Sequence, residues 1–173
     1  MRKAGGGPEF SGRPANVLTA YFSNVVLFDK NAVAELLEVR EALETYAVRF
    51  AARDRSDTDL ERLITIQVQM AEHIFDDKAA FIDEDVEFHR LLVQMSGNTM
   101  LTFLVQGLRD ATKESIARGL EARRSRTELE SINQAHHAIL EAIRDRNEVA
   151  AVNAMHSALP GRHREPVDHS VAL

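Results

Sequence analysis

The chain has 173 residues, enough for one domain with a sizeable core. Its 21 basic and 27 acidic residues leave a net charge of −6, which argues against a whole-domain electrostatic grip on nucleic-acid phosphates. The absence of cysteine rules out disulfides and thiolate metal sites and suits a reducing cytoplasm.

With 45% hydrophobic and 28% charged residues, the composition is that of a soluble globular protein. No run approaches the roughly 18 apolar residues of a membrane span, so no membrane partner is expected. Residues 1–14 carry two early charges and then glycines, without the apolar core of a secretory signal. They read as a flexible lead-in. No internal repeat is found.

Val17 to Phe28 is a first apolar stretch and a candidate short helix, closed by Asp29-Lys30-Asn31. Ala32 to Arg53 has the clearest helical spacing, with Leu36, Leu43, Ala47 and Phe50 on one stripe and Leu37, Arg40 and Tyr46 beside it. Ser56, followed by Asp59, caps the next helix, which carries Leu60, Leu63, Ile64, Val68 and His73. A further helix over Lys78 to Met95 has Phe81, Phe88, Leu92 and Met95 as its stripe. Gly97 suits the left-handed position after a helix, and Asn98 suits the next N-cap. A long segment from Thr99 to Arg123 follows, with a loop at Arg123-Arg124-Ser125-Arg126. Thr127 and Glu130 match a capping box for a helix carrying Ile132, His136, Ile139, Leu140 and Ile143. Asn147 caps a last helix to about Leu159, and Pro160-Gly161 stops it. The expected fold is all-α: an antiparallel bundle of six to seven helices around a central ligand pocket, spanning 15–160, with a mobile tail over 161–173.

Asp85 and His89 are four apart, so they share a helix face one turn apart, and Phe88 and Leu92 turn that face inward. A carboxylate and an imidazole facing a core need partners. A divalent metal is one; a plain Asp85–His89 ion pair at the stripe's edge is the other. His136 aligns with Ile132, Ile139, Leu140 and Ile143 and points inward, whereas His137 aligns with Glu141 and Arg144 at the solvent edge. His136 is therefore either a third ligand or a core histidine bonded to a neighbour. Arg40 could clamp a carboxylate in a two-point fork, or form a solvated salt bridge with Glu44 one turn later. No Gly-rich phosphate loop, nucleophile elbow, HExxH or cysteine nucleophile is present.

Several of these pieces together resemble one family. Leu36-Leu37-Glu38-Val39-Arg40 with Ala42-Leu43-Glu44, Asp85-Val86-Glu87-Phe88-His89, Ser96-Gly97-Asn98, and His136-His137-Ala138-Ile139-Leu140-Glu141-Ala142-Ile143 are similar, in order and separation, to the C-terminal (FCD) domain of FadR-like GntR regulators. The resemblance covers Ala32 to Leu159. It implies a helical bundle that binds a small organic acid, dimerises, and controls DNA binding by a winged helix-turn-helix expected to be absent from this chain, of which residues 1–14 could hold a wing remnant. It implies Asp85, His89 and His136 as ligands of a divalent metal (zinc first, with nickel, iron or manganese as alternatives), and Arg40 and Asn98 as effector-binding residues. The sequence departs from the family at the fourth ligand. A pattern like M-x-x-H-L becomes Met155-His156-Ser157-Ala158-Leu159, with Ala158 in the histidine's place. His156 is two residues away, roughly 200° around an ideal helix. The competing readings are a helical dimerisation or interaction protein without ligand, and a metal-dependent enzyme. Against the second, the repeated Glu-x-x-His pairs of a di-metal bundle are missing.

Overall fold

The computed structural model describes residues 13–29, 32–123 and 125–158. Among them are seven helices and no strand: α1 (Arg13–Phe28), α2 (Ala32–Asp54), α3 (Asp57–His73), α4 (Lys78–Met95), α5 (Thr99–Arg123), α6 (Arg126–Arg144) and α7 (Glu148–Ala158). The apolar stretch at Val17 is thus a full helix. It begins at Arg13, two residues inside the expected lead-in, with Pro14 in a first turn whose N–H groups have no helical partner anyway. Residues 1–12 and the tail over 161–173 lie outside the described residues.

Helix starts follow the side chains that satisfy their free N–H groups. The Ser56 hydroxyl accepts from the Asp59 amide at 3.0 Å, the Asn98 carbonyl oxygen from Leu101 at 3.1 Å, and that of Asn147 from Ala150 at 3.0 Å. At α6 the capping box is Ser125 with Glu128, not Thr127 with Glu130. Both pairs fit the same spacing, and Ser125 captures the Glu128 amide two residues earlier. Gly97 takes a φ of +70° after α4, as expected.

α2 runs through the middle of the bundle and packs against α4, α5, α6 and α7. Its fully buried face is Ala32, Arg40, Glu44, Ala47, Val48, Ala51 and Ala52. Of the stripe read from sequence, Ala47 is fully buried, while Leu36, Leu43 and Phe50 are only half buried on its flank. Small side chains at 47, 51 and 52 suit a helix enclosed on several sides. On α3 the buried positions are Leu63, Ile66, Gln67 and Met70, so Val68 faces outward rather than into the core. The main core joins these to Phe81, Phe88, Leu91, Leu92, Ile139, Leu140, Ile143 and Met155. A smaller cluster of Ala47, Val93, Leu101 and Val105 joins α2, α4 and α5.

α1 lies on α5, with only a slight contact to α2. A Cβ at Gly107 would sit 2.7 Å from Leu18 Cβ, so glycine permits this close approach. Two arginines clasp the other end of the bundle. Arg55, after α2, donates to the carbonyls of Ile143 (3.0 Å) and Arg144 (2.9 Å). Arg146, after α6, donates back to those of Arg53 (2.9 Å) and Arg55 (3.1 Å).

Candidate metal and anion site

Four helices meet at a buried polar cluster. α2 supplies Arg40 and Glu44, α4 supplies Asp85 and His89, α5 supplies Arg109, and α6 supplies His136. Glu44, His89 and His136 are each 1% exposed. The Asp85 side chain is 27% exposed. Phe88 walls the group, its ring edge-on to His136 at 4.9 Å between centroids.

One ligand atom from each of Asp85, His89 and His136 lies within 4.8 Å of the others. Nε2 of His89 is 3.1 Å from Nε2 of His136, and Nε2 of His136 is 3.0 Å from Oδ1 of Asp85. The far nitrogens explain this orientation. Nδ1 of His136 is 2.8 Å from the carbonyl oxygen of Ile132, a contact in which the imidazole must donate. Nδ1 of His89 is 2.6 Å from Oε2 of Glu44. The contact falls off a straight hydrogen-bond line, yet at that separation a proton belongs between nitrogen and carboxylate. With protons on both Nδ1 atoms, the rings turn their Nε2 atoms towards each other and towards Asp85, and a further proton on His136 Nε2 makes its hydrogen bond to that carboxylate. Without that proton, two imidazole nitrogens and one carboxylate oxygen converge as acceptors. Such a set is stable only with a proton or a cation among them, and its N,N,O chemistry fits a divalent metal.

The charges around it are arranged in pairs. Glu44 Oε1 accepts from Arg109 Nε at 3.0 Å and faces Arg40 Nε at 3.2 Å. Arg109 also donates to the main-chain oxygen of Asp85 at 3.3 Å and reaches its Oδ2 at 3.5 Å, leaving Oδ1 for the histidines. Burial opposes ionisation of Glu44, but His89, Arg109 and Arg40 outweigh it and hold the carboxyl below its ordinary range. Asp85 is likewise held well below the usual carboxylate value. Burial again opposes, and the His136 hydrogen bond with the charges of His89 and Arg109 prevails. Burial pushes the His89 pKa down from 6.5 to about 4, with Glu44 opposing and Arg109 adding, so the ring is neutral at pH 7. Arg40 is also lowered by burial, against the pull of Glu44. Its Nε has no hydrogen-bond geometry to any acceptor.

The structure places Asp85, His89 and His136 together, with Arg40 beside them in the i,i+4 pair with Glu44 that its spacing suggested. It does not bring Asn98 or His156 to them. Asn98 caps α5 and lines a surface cleft of about 440 Å³ with Tyr46, Phe50, Ser96, Gly97, Thr99 and Met100. His156 is turned to Glu41 at 2.9 Å, outside the cluster. His137 is 62% exposed beside Glu141, as its helix angle requires. Two cluster members were not singled out as site residues by sequence. Glu44 had seemed an ordinary surface partner of Arg40. Arg109 sits among Val105, Leu108 and Thr112 on the buried face of α5, and a charge inside that stripe was the available signal.

The model of the FCD domain matches residues 35–160, most of the chain. The chain belongs to the FCD-domain family. Relatives of this FCD domain include the HTH-type transcriptional repressor NanR of Cronobacter sakazakii, 36% identical over 78 residues, covering 45% of this chain and 30% of that protein. NanR of Salmonella bongori is 33% identical over 78 residues, covering 45% and 29%. The match thus spans about a third of these regulators' length. Among solved structures, Streptococcus agalactiae GntR has a TM-score of 0.62 at 26% identity, covering 73% of this chain and 56% of that one. E. coli McbR/YncC has a TM-score of 0.69 at 18% identity, covering 76% and 65%, and shows the shared fold.

Proposed function

We propose that this FCD domain is the ligand-sensing part of a GntR-type transcription regulator. A divalent metal, zinc in the first instance, with nickel, iron or manganese as alternatives, is held by Asp85, His89 and His136. A small organic acid binds beside it and is met by Arg40. The observation that carries the reading is the convergence of Asp85 Oδ1 and two histidine Nε2 atoms, each histidine backed by an acceptor at Nδ1. Carboxylate and imidazole ligands with such outer partners are the usual dress of a metal site.

The charge count favours an anionic effector. Arg40 and Arg109 balance Glu44 and Asp85, so a divalent ion adds two uncompensated positive charges to a buried place, and a bound acid offsets them. Three protein ligands leave the metal open positions for that acid or for water. The metal supplies Lewis acidity and charge for holding the acid. Arg40 supplies the planar fork that orients it, and Phe88 and the aliphatic core around it keep water out. His156 is not a ligand in this scheme, because Glu41 holds it elsewhere. Asn98 is also left out of the effector site, since its carbonyl oxygen is committed to the α5 cap.

Binding would bias a homodimer of a cytoplasmic regulator whose DNA-reading winged helix-turn-helix lies outside this domain. Among the described residues no helix is long and apolar enough to cross a membrane. The test is thermal unfolding of zinc-loaded protein with a panel of acids, lactate and malate among them. A midpoint that rises with one acid and only in the presence of metal supports the reading. No response to any acid, with or without metal, sinks the sensing role and favours a ligand-free interaction module.

A further inference from the structure

Glu44 pairs with three cluster members, Arg40, His89 and Arg109, and of these pairings only that with His89 enters the metal scheme above. It is buried on the central helix, and its two oxygens face different ways. Oε2 lies against Nδ1 of His89 at 2.6 Å. Oε1 takes the Arg109 guanidinium at 3.0 Å and faces Arg40 at 3.2 Å. Arg109 in turn holds Asp85 through both its main-chain oxygen and Oδ2. From one carboxylate, then, contacts run directly to His89 and through one arginine to Asp85. These are two of the three residues whose ligand atoms converge.

We propose that Glu44 is a positioning residue for the metal site: it holds His89 so that Nε2 faces the ion, and it holds Arg109 so that Asp85 presents Oδ1. The proposal rests on the metal reading given above. Its physical content is specific. A neutral imidazole has one N–H, and a carboxylate accepting it at Nδ1 fixes both the tautomer and the ring plane. A glutamine at 44 can offer its carbonyl to His89 or to the arginines but not to both, and its amide would face a donor on the other side. An aspartate keeps the charge but is one methylene shorter and must release at least one partner. Removing partners of this kind typically weakens metal binding 10–100-fold.

The experiment uses the full chain without a tag. Zinc affinity is measured by competition with a chromophoric chelator, and the cobalt-loaded protein is followed through its d–d absorption, in wild type, Glu44→Gln, Glu44→Asp and Glu41→Gln. Glu41 lies on the same helix and pairs with His156, which is not among the converging ligand atoms, so it serves as the control. The expected result is zinc binding about 10–100-fold weaker and an altered cobalt spectrum in both Glu44 variants, with helical circular dichroism retained and Glu41→Gln unchanged. Should Glu44→Gln not fold, Glu44→Asp, which preserves the buried charge, decides. Zinc affinity and cobalt spectra unchanged at position 44 would overturn the positioning role while leaving the metal site intact. A wild type that binds neither ion would overturn the metal reading itself, and this proposal with it.

Discussion

Nε2 of His89, on α4, and Nε2 of His136, on α6, face one another at 3.1 Å. Each ring has its other nitrogen engaged, one by the Glu44 carboxylate and one by the Ile132 carbonyl. Two imidazoles turned Nε2 to Nε2 in a core need a proton or a cation between them.

Arg40 is expected to govern the response to acids and not the response to metal. Arg40→Ala leaves Glu44 paired with Arg109 and close to His89, so the core charge remains partnered. A saturating acid at one hundred times its Kd stabilises wild type by about 2.7 kcal/mol, a rise of about 5–10 °C for a domain of this size. In Arg40→Ala that rise should vanish while the shift caused by zinc alone persists. Equal acid shifts in the two proteins would remove Arg40 from the effector site.

The metal-free protein should lose stability in two stages as pH falls. The His89 pKa is depressed to about 4 from 6.5, so between these values the unfolded chain binds a proton that the folded chain refuses. The stability contributed by neutral His89 is complete above about pH 6.5 and is lost as pH falls towards 4, at most about 3 kcal/mol. Glu44 and Asp85 have depressed values, so their contribution is present above the ordinary carboxylate range and is lost on further acidification. Urea midpoints between pH 8 and pH 4 should show the first slope in wild type and a smaller one in His89→Asn. A flat profile down to pH 4 would contradict the burial of a neutral histidine.

The clasp between Arg55 and Arg146 is expected to be structural only. Each arginine donates to two carbonyls of the opposite turn. Arg55→Ala should cost about 1–3 kcal/mol and leave zinc affinity unchanged. Arg146→Gly should cost less, because residue 146 has a φ of +54°, which glycine adopts without strain. Thermal midpoints and zinc titrations check both. A larger loss in Arg146→Gly would mean that the Arg146 bonds dominate the clasp.

Much of this architecture is legible in the sequence, for identifiable reasons. Ser56, Asn98 and Asn147 mark helix starts because few residue types satisfy free amides there. Asp85 and His89 stand out because a four-residue spacing beside Phe88 allows one face only. His136 and His137 separate because adjacent positions lie about 100° apart on a helix. The remainder depends on tertiary placement. An Arg40–Glu44 pair at i,i+4 reads the same on a wet surface as in a core, and only the enclosure of α2 by its neighbours decides. Arg109 becomes meaningful only when α5 is laid across α2 and α4. Ser125–Glu128 and Thr127–Glu130 both fit the capping-box spacing, so spacing could not choose between them.

The most direct test of the central claim is metal content by mass spectrometry, on untagged protein purified without chelator, in wild type and His89→Ala. Close to one zinc, nickel, iron or manganese per chain is expected in wild type and loss of the metal in His89→Ala, with Ala158 tolerated because three ligands and an open position suffice. Absence of metal from wild type, even after soaking with zinc at neutral pH, would contradict that claim. The converging histidines would then be a proton-sharing core pair, and sensing, if any, would rest on Arg40 alone.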